Sequence, residues 1–320
     1  MHYFREAMCK SGKVICTNCY PDTPGMFFGD ESRVVPISYE PGFMDGLLGV
    51  CKEFRPRLLF SLHDVEIPHI ARSRERFLEI GTVPVVPGHA FAETCLDKFA
   101  GYQFIQRHGI ASAKTFLHIE QAVQAAERGD VAWPVVVKPR FGFGSFGISF
   151  ARDAEDLAGK YNILAEEIAR HAYLKQGCDA DDLVIVQEML VGVEYGLDVI
   201  CDLDGRFHTC LIERKLRMRS GETDAAEIVD DQSLFDLGRR IAEIARTPGV
   251  LDADVIVKDG VPHLLEMNPR FGGHYPFAHV AGANIPAALI AWADGREPDP
   301  AWLKARVGAK AFKDISLVRC

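Results

Sequence analysis

Long hydrophobic runs are missing from this sequence. Its longest apolar stretches, such as "IPAALIAWA", fall well short of the roughly 20 residues needed to cross a bilayer, and the opening "MHYFREAMCKSGK" has no apolar signal region. Basic charge is not in excess either. Lys and Arg total 36 against 45 Asp and Glu, a formal net charge of -9, so no general field favours nucleic acid or an anionic membrane. The nine cysteines follow no regular spacing, which excludes a disulfide scaffold and suits reduced thiols in a cytoplasmic protein. Internal repeats, low-complexity segments, a Ser-His-Asp order and a nucleophile elbow are likewise absent.

Two short motifs have metal-site residue types without the required pattern. "CTNC", Cys16 to Cys19, has no second pair at zinc spacing and leads into "YPDTPG" rather than opening a helix, so it reads as two cysteines at a strand end. In "HDVEIPH", His63 to His69, Pro68 interrupts any single helical face, and the stretch reads as a loop after a strand with Pro68 in the first turn of a helix.

What is present is an α/β alternation. "GKVICTN", "RVVPIS" and "PRLLFSL" read as strands among helical patterns at "HYFREAMCKS", "FMDGLLGVCKEF" and "IPHIARSRERFLEIG", the rhythm of a parallel sheet. Such a unit normally opens with an apolar strand, whereas Met1 stands almost inside the first helix. A fourth strand near "VPVVPG" leads to a helix carrying Asp97 and Lys98, and a domain boundary is expected near residue 95. Mixed strands and helices follow, ending in the hairpin "VLDADVIVKDGVPHLLEMNPR" with Asp259-Gly260 at its turn.

Within "VVVKPRFGFGSFGISF" the glycines 142, 144 and 147 spell G-x-G-x-x-G. A dinucleotide fingerprint would continue into a helix. Here "ISF" reads as a returning strand, so the stretch is either an inert glycine-rich hairpin or a hairpin flap whose backbone N–H groups can cover phosphates while Lys138 supplies charge. In the last hairpin, Asp254 and Glu266 are about equally far from the turn and face one another in a simple register; Asn268 shares the face of Glu266. These are hard oxygen ligands of the kind Mg²⁺ takes. Lys215, Arg217 and Arg219 alternate along "ERKLRMRSGET", which places three cations on one strand face, available to an anion or to the acidic hairpin.

Together "DKF", "PVVVKPRFGFGSFGI", "VQEMLVGVEYGLDV" and "LLEMNPRFGG" resemble the ATP-grasp superfamily, within it the ligases similar to the carbamoyl phosphate synthase large subunit. The resemblance covers nearly the whole chain. It implies an α/β protein with an N-terminal Rossmann-like (pre-ATP-grasp) domain over 1–95, lacking its first strand, and an ATP-grasp domain of two α+β subdomains over 96–320, with a lid at about 113–187. By the same resemblance, Lys98 and Lys138 contact ATP phosphates under the flap of Gly142, Gly144, Ser145 and Gly147. Gln187, Glu188, Met189 and Leu190 line an adenine slot, with Glu188 accepting from the adenine amino group, and Glu194 holds the ribose. Asp254, where several relatives carry glutamine or glutamate, binds Mg²⁺ or Mn²⁺ with Glu266 and Asn268. Arg270 faces the reacting phosphate, and Lys215, Arg217 or Arg219 holds a substrate carboxylate.

The implied activity is ATP-dependent joining of a carboxylate to an amine through an acyl phosphate, on small-molecule substrates, in an enzyme whose similar ligases are often homodimers. A kinase-like phosphotransferase and a nucleotide-binding regulatory protein are the alternatives. No biotin-carrier, glutaminase or second synthetase half is recognisable, so the full carbamoyl phosphate synthase reaction is not implied.

Overall fold

The computed structural model describes residues 1–315 except 10, 143, 172–173 and 175–181. Strands β1 (Ile15–Asn18) and β2 (Glu31–Val34) pair in parallel, and so do β3 (Leu58–Leu59) and β4 (Val83–Pro84). The expected parallel sheet is therefore two separate pairs. Helix Phe43–Phe54 spans the stretch read from the sequence; it buries Phe43, Leu47, Leu48, Val50 and Cys51 and ends at Arg55 in the left-handed region. With Ile67, Ile70, Phe77 and Val86 these residues make the core of the N-terminal unit. The long helix expected after Ile67 is two helices, Ile67–Arg72 and Arg74–Leu78, divided at Ser73.

A second break falls at Asp97. Its backbone is extended and its carboxylate caps helix Lys98–Arg107, accepting from Phe99 N and Ala100 N at 2.9 and 3.2 Å. The one helix expected through Asp97 and Lys98 is thus His89–Leu96 followed by Lys98–Arg107. Next, β5 (Thr115–Phe116), β6 (Val135–Pro139), β7 (Ser149–Ala151) and β8 (Val184–Glu188) form an antiparallel sheet in the order β5-β8-β6-β7. Val135, Val137, Val184 and Val186 pack on Leu157, Leu164 and Ile168 of helix Ala154–Ala169.

The larger sheet carries β9 (Val193–Cys201), β10 (Phe207–Arg219), β11 (Glu222–Ile228), β12 (Gly249–Lys258), β13 (Val261–Asn268) and β14 (Lys310–Phe312), in the order β13-β12-β9-β10-β11-β14. Strand β11 was not expected, because "ETDAAEI" lacks β-branched alternation; pairing with β10 buries Thr223, Asp224, Ala225 and Ala226 and overrides weak propensity. Period-two geometry gives this sheet two unlike faces. Leu197, Val199, Ile212, Ala253, Val255 and Met267 pack on Leu234 and Ile241 of helix Gln232–Ala245. The opposite face carries the polar residues described next. Among the described residues no helix is long and apolar enough to cross a membrane, and the described cysteines are all free.

Candidate nucleotide and metal site

The last hairpin departs from a simple register by an irregularity between Asp254 and Val255, and that shift sets the two carboxylates opposite each other. Asp254 lies opposite Glu266 and Asp252 opposite Asn268, with Asp259 and Gly260 at positive φ in the turn. Pairing with β9 and β10 extends this into two cross-strand rows on one face. One runs Glu266, Asp254, Gly196, Glu213; the other runs Asn268, Asp252, Asp198, Leu211. The expected metal ligands Asp254, Glu266 and Asn268 therefore share one face of adjacent strands. Their oxygens suit a hard divalent cation.

Two lysines reach the same region from other elements. Lys138, near the end of β6, is buried and donates from Nζ to Gln187 Oε1 at 2.8 Å, while Gln187 Nε2 donates to Thr115 Oγ1 at 2.8 Å. Burial, joined by the neighbouring Lys98 and opposed by Glu266 and Asp254, depresses the Lys138 ammonium to about 8. Lys98 opens its helix and donates to Gly142 O at 2.5 Å. A clamp not legible in the sequence holds the pair together: Arg140 Nε and Nη2 meet Asp97 Oδ1 and Oδ2 at 2.8 and 2.6 Å, and Lys98 N donates to Arg140 O at 3.1 Å. Only the short sequence distance of Asp97 from Lys98 and of Arg140 from Lys138 hinted at it.

The flap is held by conformation and by a neighbour. Gly142, Gly144, Ser145 and Gly147 all have positive φ, which needs glycine at most such positions; Phe143 lies outside the described residues. The tip rests on the turn joining β10 to β11, where a Cβ on Gly221 would stand 2.5 Å from Ser145 Oγ and 2.9 Å from Gly144 C.

The remaining expected residues divide. Glu188 ends β8, with Lys258 Nζ 3.4 Å from Oε1 and its backbone N–H donated to Lys114 O; Met189 and Leu190 follow it out of the strand, half-buried. Glu194 accepts from Lys215 Nζ at 2.8 Å. The three cations of β10 do not converge: Lys215 turns to Glu194 and Asp254, whereas Arg217 and Arg219 both hold buried Asp224 at 2.6 Å, after irregularities in the β10–β11 register. Two carboxylates raise the Lys215 ammonium above the lysine range against its own burial. Arg270 is half-buried between Asp64, at 2.8 and 3.1 Å, and Asp252, at 2.8 Å. Asp64 belongs to the "HDVEIPH" loop after β3, so that motif reaches this site through an ion pair. His274 was not singled out as a site residue. It lies against Gly196, where a Cβ would come within 2.5 Å of Nδ1, and it faces Asp198, Asp252 and Glu213.

This arrangement of a parallel α/β unit, an antiparallel lid and a sheet whose polar face ends in paired carboxylates defines an ATP-grasp fold. A family model described as PylC-like, N-terminal domain matches residues 1–86, and one described as ATP-grasp in the biosynthetic pathway with Ter operon matches residues 180–313. Residues 180–313 thus match an ATP-grasp family, within a chain that has the ATP-grasp fold throughout its two parts. It is 25% identical over 300 residues to the carbamoyl phosphate synthase large chain of Vibrio cholerae, covering 87% of this chain and 25% of that one. The corresponding large chain of Campylobacter jejuni is 23% identical over 292 residues, with the same coverage. The chain thus spans about a quarter of the length of these relatives. Among solved structures, L-amino acid ligase from Bacillus licheniformis superposes with a TM-score of 0.72 at 16% identity, covering 96% of this chain and 75% of that one. A biotin carboxylase complex from Campylobacter jejuni gives 0.71 at 16% identity, covering 95% and 70%.

Proposed function

We propose that the protein is an ATP- and Mg²⁺-dependent carboxylate–amine ligase acting on small metabolites. The observation that supports this reading most strongly is the meeting of three elements: the paired carboxylates Asp254 and Glu266, the buried Lys138 whose charge they favour, and a flap tethered to Lys98. Cations, oxygen ligands and a closing glycine loop suit a nucleoside triphosphate, and phosphoryl transfer depends on positioning and charge neutralisation rather than on a protein nucleophile. Relatives and structural neighbours include ligases, and one neighbour was solved with MgADP and bicarbonate.

In this reading Lys98 and Lys138 bind phosphate oxygens, with the flap excluding water. Gln187 to Leu190 line the base and Glu194 meets the ribose. Asp254, Glu266 and Asn268 would hold Mg²⁺, whose contribution is to neutralise phosphate charge. Arg217 and Arg219, exposed and oriented by Asp224, would receive the acid, and Arg270 would stand at the reacting phosphate. A carboxylate oxygen attacks the γ-phosphorus and ADP leaves. The amine then attacks the acyl carbon, losing a proton, and phosphate departs with the original carboxylate oxygen. The test is ADP release across a panel of acids and amines, with products weighed. Release requiring both partners, and a product lighter than their sum by one water, is expected; release with the acid alone would mark a kinase, and binding without release a regulatory protein.

A further inference from the structure

We propose that Asp198, Glu213 and His274 form a second divalent-cation site, enclosed beneath the nucleotide site and separate from Asp254, Glu266 and Asn268. Asp198 and Glu213 are fully buried, and no oxygen of either makes a well-formed hydrogen bond. Among the described residues their ion-pair partner is His274, itself buried. Its Nε2 lies 3.4 Å from Asp198 Oδ1, 3.9 Å from Glu213 Oε2 and 3.6 Å from Asp252 Oδ1. One ligand atom from each of Asp198, Glu213 and His274 falls within 4.8 Å of the others, and so does one from each of Asp252, Asp254 and His274, so the site adjoins the nucleotide carboxylates at His274.

Four carboxylates, those of Asp64, Asp198, Glu213 and Asp252, face one guanidinium, Arg270, and one imidazole, His274. Ion pairs among the described residues bring no lysine or arginine to Asp198 or Glu213. Burial and the neighbouring Asp198 push the Glu213 carboxyl well above the usual carboxylate range, and against its own burial His274 is raised to about 10 by Asp198 and Asp252; a divalent ion would replace these protons and satisfy the free lone pairs at once.

Spacing selects a metal over an ammonium group. Bonds of about 2.0–2.1 Å in a tetrahedral site place ligand atoms about 3.3–3.4 Å apart, which the 3.4 Å between His274 and Asp198 matches and the 3.9 Å between His274 and Glu213 exceeds by half an ångström. An ammonium held by hydrogen bonds of about 2.8 Å would spread its acceptors to about 4.6 Å. The fold makes room for this site and no more: Gly196 stands between Asp254 and Glu213 in its cross-strand row, and the His274 ring fills the space its missing side chain leaves. A Cβ on Gly272 would likewise meet His274 Cε1 at 2.8 Å and Asp252 Cγ at 2.9 Å. Two carboxylates and an imidazole suit Zn²⁺ or Mn²⁺.

The test uses the full chain without nucleotide. The protein is stripped with chelator, incubated with Zn²⁺ or Mn²⁺, desalted and assayed for metal by mass spectrometry, with thermal midpoint as a second readout. The expected result is one retained equivalent and a raised midpoint, both lost in Glu213→Gln and His274→Gln and both kept in Glu266→Gln. Asp198→Asn, the near-isosteric third variant, should weaken retention at least tenfold even if the other two fold poorly. Absence of retained metal in the wild type, or midpoint stabilisation by ammonium and not by either metal, would overturn the site. So would loss of metal in Glu266→Gln alone, which would assign the ion to the nucleotide carboxylates.

Discussion

Glu266 and Lys138 respond to different aspects of one site, and substitutions can separate them. Glu266→Gln keeps the shape of the strand and removes charge, so ATP turnover should fall by about 10²-fold or more while the thermal midpoint hardly moves. Near-normal turnover by the folded variant would remove Glu266 from the metal site. Lys138 carries a pH dependence whose sign follows from its depressed value near 8. The unfolded chain holds that proton up to the ordinary lysine range, so in the nucleotide-free protein this residue makes stability rise with pH between about 8 and 10.5. Phosphates should restore the charge. Mg-ATP binding at pH 8.5 is therefore expected to take up protons, measured as a dependence of calorimetric heat on buffer ionisation enthalpy and absent in Lys138→Met; identical heats in all buffers would contradict it. The positions of these two residues were legible because Lys138 lies at the end of a strand before the glycine loop and Glu266 lies across the last hairpin from Asp254. His274 was not, since its meaning depends on Gly196, a residue far away in sequence that leaves the space it fills.

At the scale of elements, the Asp97 break and the flap make separate predictions. Asp97 caps one helix and clamps Arg140, and through that clamp Lys98 and Lys138 approach each other. Asp97→Asn should keep the cap and lose the charged pair, whereas Asp97→Ala should lose both and cost a further 0.5–2 kcal/mol or so in denaturant unfolding. Both should weaken ATP binding. An unchanged ATP affinity in Asp97→Ala would mean that the lysines are placed by β6 and the helix alone. The flap should exchange amide hydrogens more slowly with Mg-ATP than without it, because its N–H groups gain partners on closing. Gly221→Val should reduce that protection, since a side chain there would collide with Ser145. Equal exchange with and without saturating nucleotide would restore an inert hairpin. The sequence revealed the flap and the last hairpin through turn chemistry that local residues dictate. It concealed β11, whose Thr, Asp and Ala residues are ordered by β10, and it concealed the helix break at Asp97, where a capping carboxylate reads like any other helical residue.

At the scale of the molecule, the Asp64–Arg270 pair joins the loop after β3 to the end of β13, so the N-terminal unit contributes a charge to the site built by the large sheet. Alternation of strands and helices was enough to recognise the two kinds of α/β unit, and local motifs were enough to recognise a nucleotide site. Long-range ion pairs were beyond it, because a single sequence carries no signal for which acid meets which base across two hundred residues. The central claim is that a carboxylate is activated by phosphoryl transfer before an amine displaces phosphate. Once the panel has identified an acid that supports ADP release, that acid should be supplied with both carboxylate oxygens as ¹⁸O, together with ATP, Mg²⁺ and the amine, and the released phosphate analysed by mass. The account predicts one ¹⁸O in each phosphate formed and one in each amide; unlabelled phosphate would show that the carboxylate is never phosphorylated, and would contradict it.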